Sequence, residues 1–506
     1  MTAMIRKTLA MGLVALAALS AAPAAQAQNI RIGLREDPDI LDPTLARTFV
    51  GRIVFAGLCD KLFDINEKLE IVPQLATGYR WEDPQSLLIT IRQGVKFHDG
   101  DTMTAESVVY SLTRHLTMQG SFRRGEINSM TSAEVVDPQT VRVRLREPFA
   151  PFVSQLTDRA GMIVSPRAAE AAGRNFGNRP VCAGPMRFVE RIAQDRIVLE
   201  RFPEYWDASR IHINRVTYLP IPDNTVRLAN LQSGSLELVQ TIEPDDLRQV
   251  NRNSRLRVSV SDELGYQGIT INVGNGARAQ TPMGQDPRVR RAFELAIDRA
   301  AINQVVYEGQ YTPTAQAVPP SNPYHARSIT PPARDVARAR ALLAEAGVRM
   351  PVQVEMTIPN NPDLRQVGEV IQAMVREAGF ELRLNAMEFA SSLQAATRGE
   401  FETYLLAWSG RADPDGNIFT FIHSQGPQND GKYSNPEVDR LIAAARVESD
   451  QARRSALYEQ MWRARAQDLG LIYLWHRKNI VGHTTRLTGF VPVPDGLIRL
   501  QGMRLN

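Results

Sequence analysis

The sequence predicts an α/β protein of at least two domains, and three observations predict it. Short apolar stretches of strand period alternate with amphipathic stretches of helical period along the chain. No internal repeat or low-complexity segment interrupts them. At 506 residues the chain also exceeds the roughly 250–300 residues at which one hydrophobic core stops growing.

Arg6 and Lys7 precede an apolar run from Leu9 to Leu19, and Ala25-Gln26-Ala27 supplies the small residues of a cleavage site. The run falls short of the ~20 apolar residues a bilayer span requires. It therefore reads as an export signal over residues 1–27. The residue directly after the cut is Gln28 and not a cysteine, so a free, soluble, periplasmic protein beginning near Gln28 is expected rather than a lipid-anchored one.

Arg31 to Arg35 reads as the first strand, and Phe49, Val50, Ile53, Val54, Gly57 and Leu58 recur at helical spacing to form one face of the next helix. Leu87 to Arg92 is a strand, and Thr104 stands where an N-cap belongs, before a helix through Val108, Val109 and Leu112. Val141, Val143 and Leu145 alternate with Arg142, Arg144 and Arg146, the period of a strand with one buried and one wet face. Asp286-Pro287 and Asn435-Pro436 each place a capping side chain before a proline, the device that opens a helix.

The 59 basic and 55 acidic residues nearly cancel, leaving +4. With the two basic leader residues removed and the arginines dispersed among acids, the balance gives no case for a nucleic-acid partner. Cys59 and Cys182 are the only cysteines. In an exported chain a lone pair reads as a disulfide, with two separately buried thiols as the alternative.

Gly426 to Lys432 has the spacing of a phosphate loop, but Tyr433 stands where a Ser or Thr should hold magnesium, and no clear strand precedes it, so a surface loop is expected. The chain has neither a Gly-x-Ser-x-Gly elbow nor a His-Glu-x-x-His helix, and its seven histidines are scattered. His98 reads as structural. Asp413, Asp415 and Gly416 are too tightly spaced for a calcium loop. No catalytic residue, metal or cofactor is expected.

Four blocks carry a resemblance. They are Ile71-Val72-Pro73-Gln74-Leu75-Ala76 with Gly94-Val95-Lys96-Phe97-His98-Asp99-Gly100 and Thr104 to Val108; Cys182-Ala183-Gly184-Pro185 with Ile197 to Arg201 and Tyr205-Trp206; Asp286 to Arg290 with Ala296 to Arg299; and Tyr433 to Asp439. In this order and spacing they resemble the oligopeptide-, dipeptide- and nickel-binding family of periplasmic proteins. The resemblance implies a two-lobed periplasmic binding protein fold with a hinge and an extra subdomain inserted in lobe one. Lobe one would comprise residues 28–66, 180–280 and 478–506, the insert 67–179, and lobe two 281–477. The cysteines would then bracket the insert. It further implies capture of a peptide or peptide-like solute by a monomer whose lobes close on it, with delivery to an ABC permease in the inner membrane and no enzymatic turnover.

Trp408-Ser409-Gly410-Arg411-Ala412-Asp413 follows the apolar run from Tyr404 to Ala407, and strand ends are where α/β sheets present ligands to a crevice. Trp408, Ser409, Arg411 and Asp413, with Phe49, are the candidate ligand-binding residues. In peptide-binding members the corresponding loop carries an ammonium-binding aspartate, and here that position is Arg411. Ile358 stands where the dipeptide branch places a carboxylate-binding arginine. Two roles for Arg411 stay open: facing an anionic group of the ligand, or pairing with Asp413 or Asp415. Trp408 either packs on a ligand or fills the core. The competing functions are binding of an anionic solute such as glutathione or a sugar-phosphate conjugate, a secreted hydrolase, and a chaperone or signalling receptor on the same fold.

Overall fold

The computed structural model describes residues 28–506. The expected leader lies outside them. Among the described residues no helix is long and apolar enough to cross a membrane.

Three sheets organise the chain. The first has seven strands in the order Leu256–Asp262, Lys478–Thr484, Leu238–Val239, Asn29–Leu34, Arg215–Pro220, Arg196–Arg201 and Met186–Ile192. The second has six: Thr312–Pro313, Leu471–His476, Tyr266–Ile271, Thr403–Trp408, Val352–Pro359 and Phe380–Met387. A four-stranded antiparallel sheet, built from Ala76–Asp83, Ser86–Ile91, Thr140–Leu145 and Met130–Asp137, stands apart from both. Each sheet has its own apolar core, as the chain length requires.

Local chemistry explains the elements. In the second lobe the crossover helix Pro362–Ala378 joins two parallel strands; Asn361 accepts from the Asp363 and Leu364 amides at 3.0 and 3.3 Å, and Gly379 ends it at φ 102°. Asn435 caps Pro436–Val447 in the same way. Val141, Val143 and Leu145 are buried in the strand Thr140–Leu145, while Arg142 faces out and pairs with Glu82 at 2.8 Å. The helix begun at Asp286-Pro287 runs to Leu295.

The boundary expected between 280 and 281 falls elsewhere. Tyr266–Ile271 is bonded on both sides into the second sheet, so the chain changes lobes near Glu263. It crosses back between His476 and Lys478, where one strand ends in the second sheet and the next begins in the first. The two crossings lie side by side: the Glu263 amide donates to the Arg477 carbonyl at 3.1 Å, and Arg477 clasps the Glu263 carboxylate at 2.7 and 2.8 Å. Such a fork-to-carboxylate pair has fixed geometry and keeps two adjacent strands in register at a hinge.

Cys59 and Cys182 are bridged, with their Cα atoms 4.9 Å apart. The bridge ties the end of the helix Phe49–Leu58 to the segment leading into the strand Met186–Ile192. The four-stranded subdomain lies in the stretch between the two cysteines, which the bridge closes at its base. His98 lies against it, its Nδ1 accepting from the Cys182 amide at 3.4 Å and its Nε2 3.1 Å from the Gly184 carbonyl. Burial pushes this imidazole down to about 4.

Candidate functional site

Between the two large sheets lies a cavity of ≈ 100 Å³, which suits a small solute rather than an extended oligopeptide. Arg35, Glu36, Thr48, Phe49, Gln240 and Asn479 line it from the first lobe. Gln267, Phe389, Trp408, Ser409 and Phe421 line it from the second, and Glu263 and Arg477 from the hinge.

The turn after Thr403–Trp408 is set by close backbone contact. Gly410 has φ 79° and bridges to Leu264 in the hinge segment, where an added Cβ would lie 2.1 Å from the Leu264 carbonyl carbon. Only glycine fits. Asn417 then fixes the loop: its Oδ1 accepts from Trp408 Nε1 at 2.9 Å and from the Arg411 amide at 2.7 Å. Trp408 is 7% exposed, packing edge-on against Phe421 at 4.8 Å while its remaining surface meets the cavity. It belongs to the core and to the cleft at once.

Both roles expected for Arg411 give way to a third. Arg411 does not line the cavity, and its guanidinium neither meets Asp413 nor Asp415. It lies over Trp408 at 4.4 Å and pairs with Asp158, which comes from the polypeptide between the two cysteines. Asp413 is taken from behind by Arg454, at 2.7 Å on each oxygen, and Asp415 by Arg446 at 3.0 Å. Those two arginines saturate the acids that follow in sequence, leaving Arg411 to reach across. Ile358 is buried in the second core, away from the cavity.

Contacts between lobes recur around the cavity. Arg52 donates from Nε to Asp158 at 3.1 Å and from Nη1 to Ser409 Oγ at 3.0 Å. Arg47 donates to Asp430 at 2.9 Å and Thr397 at 2.7 Å, and Arg35 to Asp363 at 3.0 Å. The stretch Gly426 to Lys432, expected as a surface loop, supplies Asp430 and the buried Gln428 to the Arg47 contact, so it is part of the interlobe seam. The lobes are closed.

Two cavity groups lack direct hydrogen-bond partners. Glu36 makes no hydrogen bond or direct ion pair among the described residues; burial lifts its carboxyl above the usual range against the opposing pull of Arg35, Arg477 and Arg227. Gln267 is 1% exposed, and its Nε2 has no acceptor. Lys478 adds a cation at the rim, 4.0 Å from Asp262. Acceptor, donor and cation thus face one space between aromatic walls. None of the three was singled out from the sequence, where each stands in an ordinary strand-end context.

A two-lobed cleft of this kind defines a solute-binding protein, and the chain belongs to the bacterial extracellular solute-binding proteins, family 5 Middle, whose model matches residues 70–430. The glutathione-binding protein GsiB of Salmonella typhi is 29% identical over 490 residues, 94% of each chain. That of Escherichia coli O6:K15:H31 is 28% identical over 500 residues, 96% of each. Among solved structures, the Escherichia coli murein tripeptide binding protein MppA superposes with a TM-score of 0.88 at 21% identity, covering 95% of this chain and 99% of its own. The Helicobacter pylori periplasmic binding protein DppA in complex with the peptide STSA gives 0.86 at 23%, covering 94% and 98%. These structures share the fold.

Proposed function

We propose that this protein is the periplasmic binding component of an ATP-driven importer, that it captures a small zwitterionic peptide-like solute between its lobes, and that glutathione is the leading candidate. The observation that carries the reading is the unpaired Glu36 carboxylate in a small, closed interlobe cavity. A free carboxylate there suits an ammonium, and Gln267 Nε2 with Lys478 suits a carboxylate. Phe49 and Trp408 supply apolar walls, and Ser409 the polar edge. The full-length similarity to proteins named for glutathione binding supports the same class. The loss of the dipeptide anchors at Arg411 and Ile358 disfavours a plain dipeptide.

A binder fits better than a hydrolase because the Ser409 hydroxyl accepts from a guanidinium, and the Thr48 hydroxyl, which donates to Asp39 at 2.9 Å, is occupied as a helix cap accepting from the Gly51 amide. Closure on the solute would be the signal read by a permease, with the protein acting as a monomer. Mass spectrometry of the solute released by denaturing protein isolated from the periplasm tests the proposal. An intact γ-glutamyl tripeptide or a similar zwitterion is expected, whereas a plain sugar, a metal chelate or a cleaved product would overturn it.

A further inference from the structure

Four guanidinium groups converge where the helix Phe49–Leu58, the subdomain and the second lobe meet. Arg123 and Arg159 are 0% exposed, Arg52 3% and Arg411 8%. Two carboxylates answer them. Asp158 takes Arg52 at 3.1 Å and Arg411, with Arg159 Nε at 3.9 Å, and Glu126 gives one oxygen to Arg123. The remaining bonds go to one hydroxyl and to backbone: Ser409 Oγ accepts from Arg52 at 3.0 Å, the Ala46 carbonyl accepts from Arg159 Nη1 at 2.8 Å and from Arg123 Nη2 at 3.2 Å, and the Gly410 carbonyl from Arg411 at 2.7 Å. Four buried N–H groups are left over, on Arg123 Nε, Arg159 Nε, Arg159 Nη2 and Arg411 Nη2, against two carboxylate oxygens without a hydrogen bond, Asp158 Oδ2 and Glu126 Oε2.

The nearby acids are spoken for. Asp42 is held by Arg114, Asp413 by Arg454 and Asp415 by Arg446. The cluster therefore carries two positive charges in excess. A guanidinium does not shed its proton in proteins, and a buried charge without a partner is penalised by several kcal/mol. Shared carbonyls soften this but bring no negative charge. We propose that the cluster is an anion-binding site, for a small inorganic anion such as chloride or for a carboxylate, completed when Arg411 arrives with the second lobe. Ser409 and Thr48, which contact Arg52 and Arg159, also line the solute cavity, so the site lies directly behind it.

Bromide soaked into crystals of solute-stripped protein tests this through its anomalous signal, independently of what the solute is. A peak in hydrogen-bond reach of Arg123, Arg159 or Arg411 assigns the site to a free anion. In crystals of the solute-loaded protein, a solute carboxylate on the same groups assigns it to the solute instead. Neither feature in either crystal overturns the proposal. In solution, where a free anion is the occupant, the melting temperature in chloride should exceed that in methanesulfonate at equal ionic strength. Arg411→Gln should lose most of that difference, and an equal difference in the variant would remove Arg411 from the site.

Discussion

Arg411 of the second lobe and Arg52 of the first close on one carboxylate, Asp158. Burial works to raise that carboxyl, but Arg411 and Arg52, with Arg159 and Arg123 behind them, overcome it and hold it well below the usual range. Burial also pulls Arg411 down to about 10. The pair exists only when the lobes are together, so it belongs to the energetics of closure.

Asp158→Asn should shift the protein toward the open form. Removing one partner of a buried pair costs ~3–5 kcal/mol, here charged to the closed state. In small-angle scattering at a solute concentration that closes wild type, the variant should have a larger radius of gyration than wild type. Solute affinity should fall by roughly 10²- to 10³-fold or somewhat more, because each 1.4 kcal/mol is about a factor of ten. Wild-type scattering and affinity would remove Asp158 from the closing mechanism.

Glu36→Gln should separate binding from folding. A charge-assisted hydrogen bond is worth ~1.5–3 kcal/mol, so calorimetry should register a loss of about 10- to 100-fold in affinity for an ammonium-bearing solute. The melting temperature of the solute-free variant should hold or rise, since an unpaired carboxylate has been neutralised. Unchanged affinity would place the ammonium elsewhere.

Replacing Cys59 and Cys182 together by serine should lower stability by ~2–5 kcal/mol, read as a drop in denaturation midpoint. The bridge closes a separation of 123 residues, so its loss should also render the four-stranded subdomain the first region to be cut in limited proteolysis. Loss of stability spread evenly over both lobes would contradict the picture of a local staple.

His115 is fully buried, with Nδ1 2.8 Å from Thr44 Oγ1 and Nε2 3.0 Å from the Met162 carbonyl. Burial pushes its pKa from 6.5 down to about 4. As pH falls from 6.5 toward 4 the unfolded chain takes up this proton first, so the imidazole's contribution to stability is present above that window and lost on acidification. Comparing urea unfolding at several pH values, His115→Gln should flatten the acid side of the profile by up to ~1.4 kcal/mol per pH unit. An identical slope in both proteins would show that His115 is not the group responsible.

The sequence carried the local chemistry and lost the long-range geometry. The caps at Asp286 and Asn435, the alternating strand at Val141 to Leu145 and the turn after Trp408 are written in neighbouring residues, and they were legible. The lobe boundary was misplaced because alternation identifies the strand Tyr266–Ile271 without saying which sheet it joins. For Arg411 the sequence left open a ligand-facing role and a pair with Asp413 or Asp415; Arg446 and Arg454, from later helices, take those acids, and Arg411 pairs with Asp158. Glu36 and Gln267 carry no motif; only the closed cavity gives their missing partners a meaning.

The account rests on capture of a small zwitterion by the interlobe cavity, and calorimetric titration of solute-stripped protein with reduced glutathione tests it most directly. Saturable binding of one molecule per chain, with glutathione recovered intact afterwards, is the predicted result. No heat of binding up to millimolar glutathione, with a plain dipeptide or an uncharged sugar saturating the same protein, would contradict it.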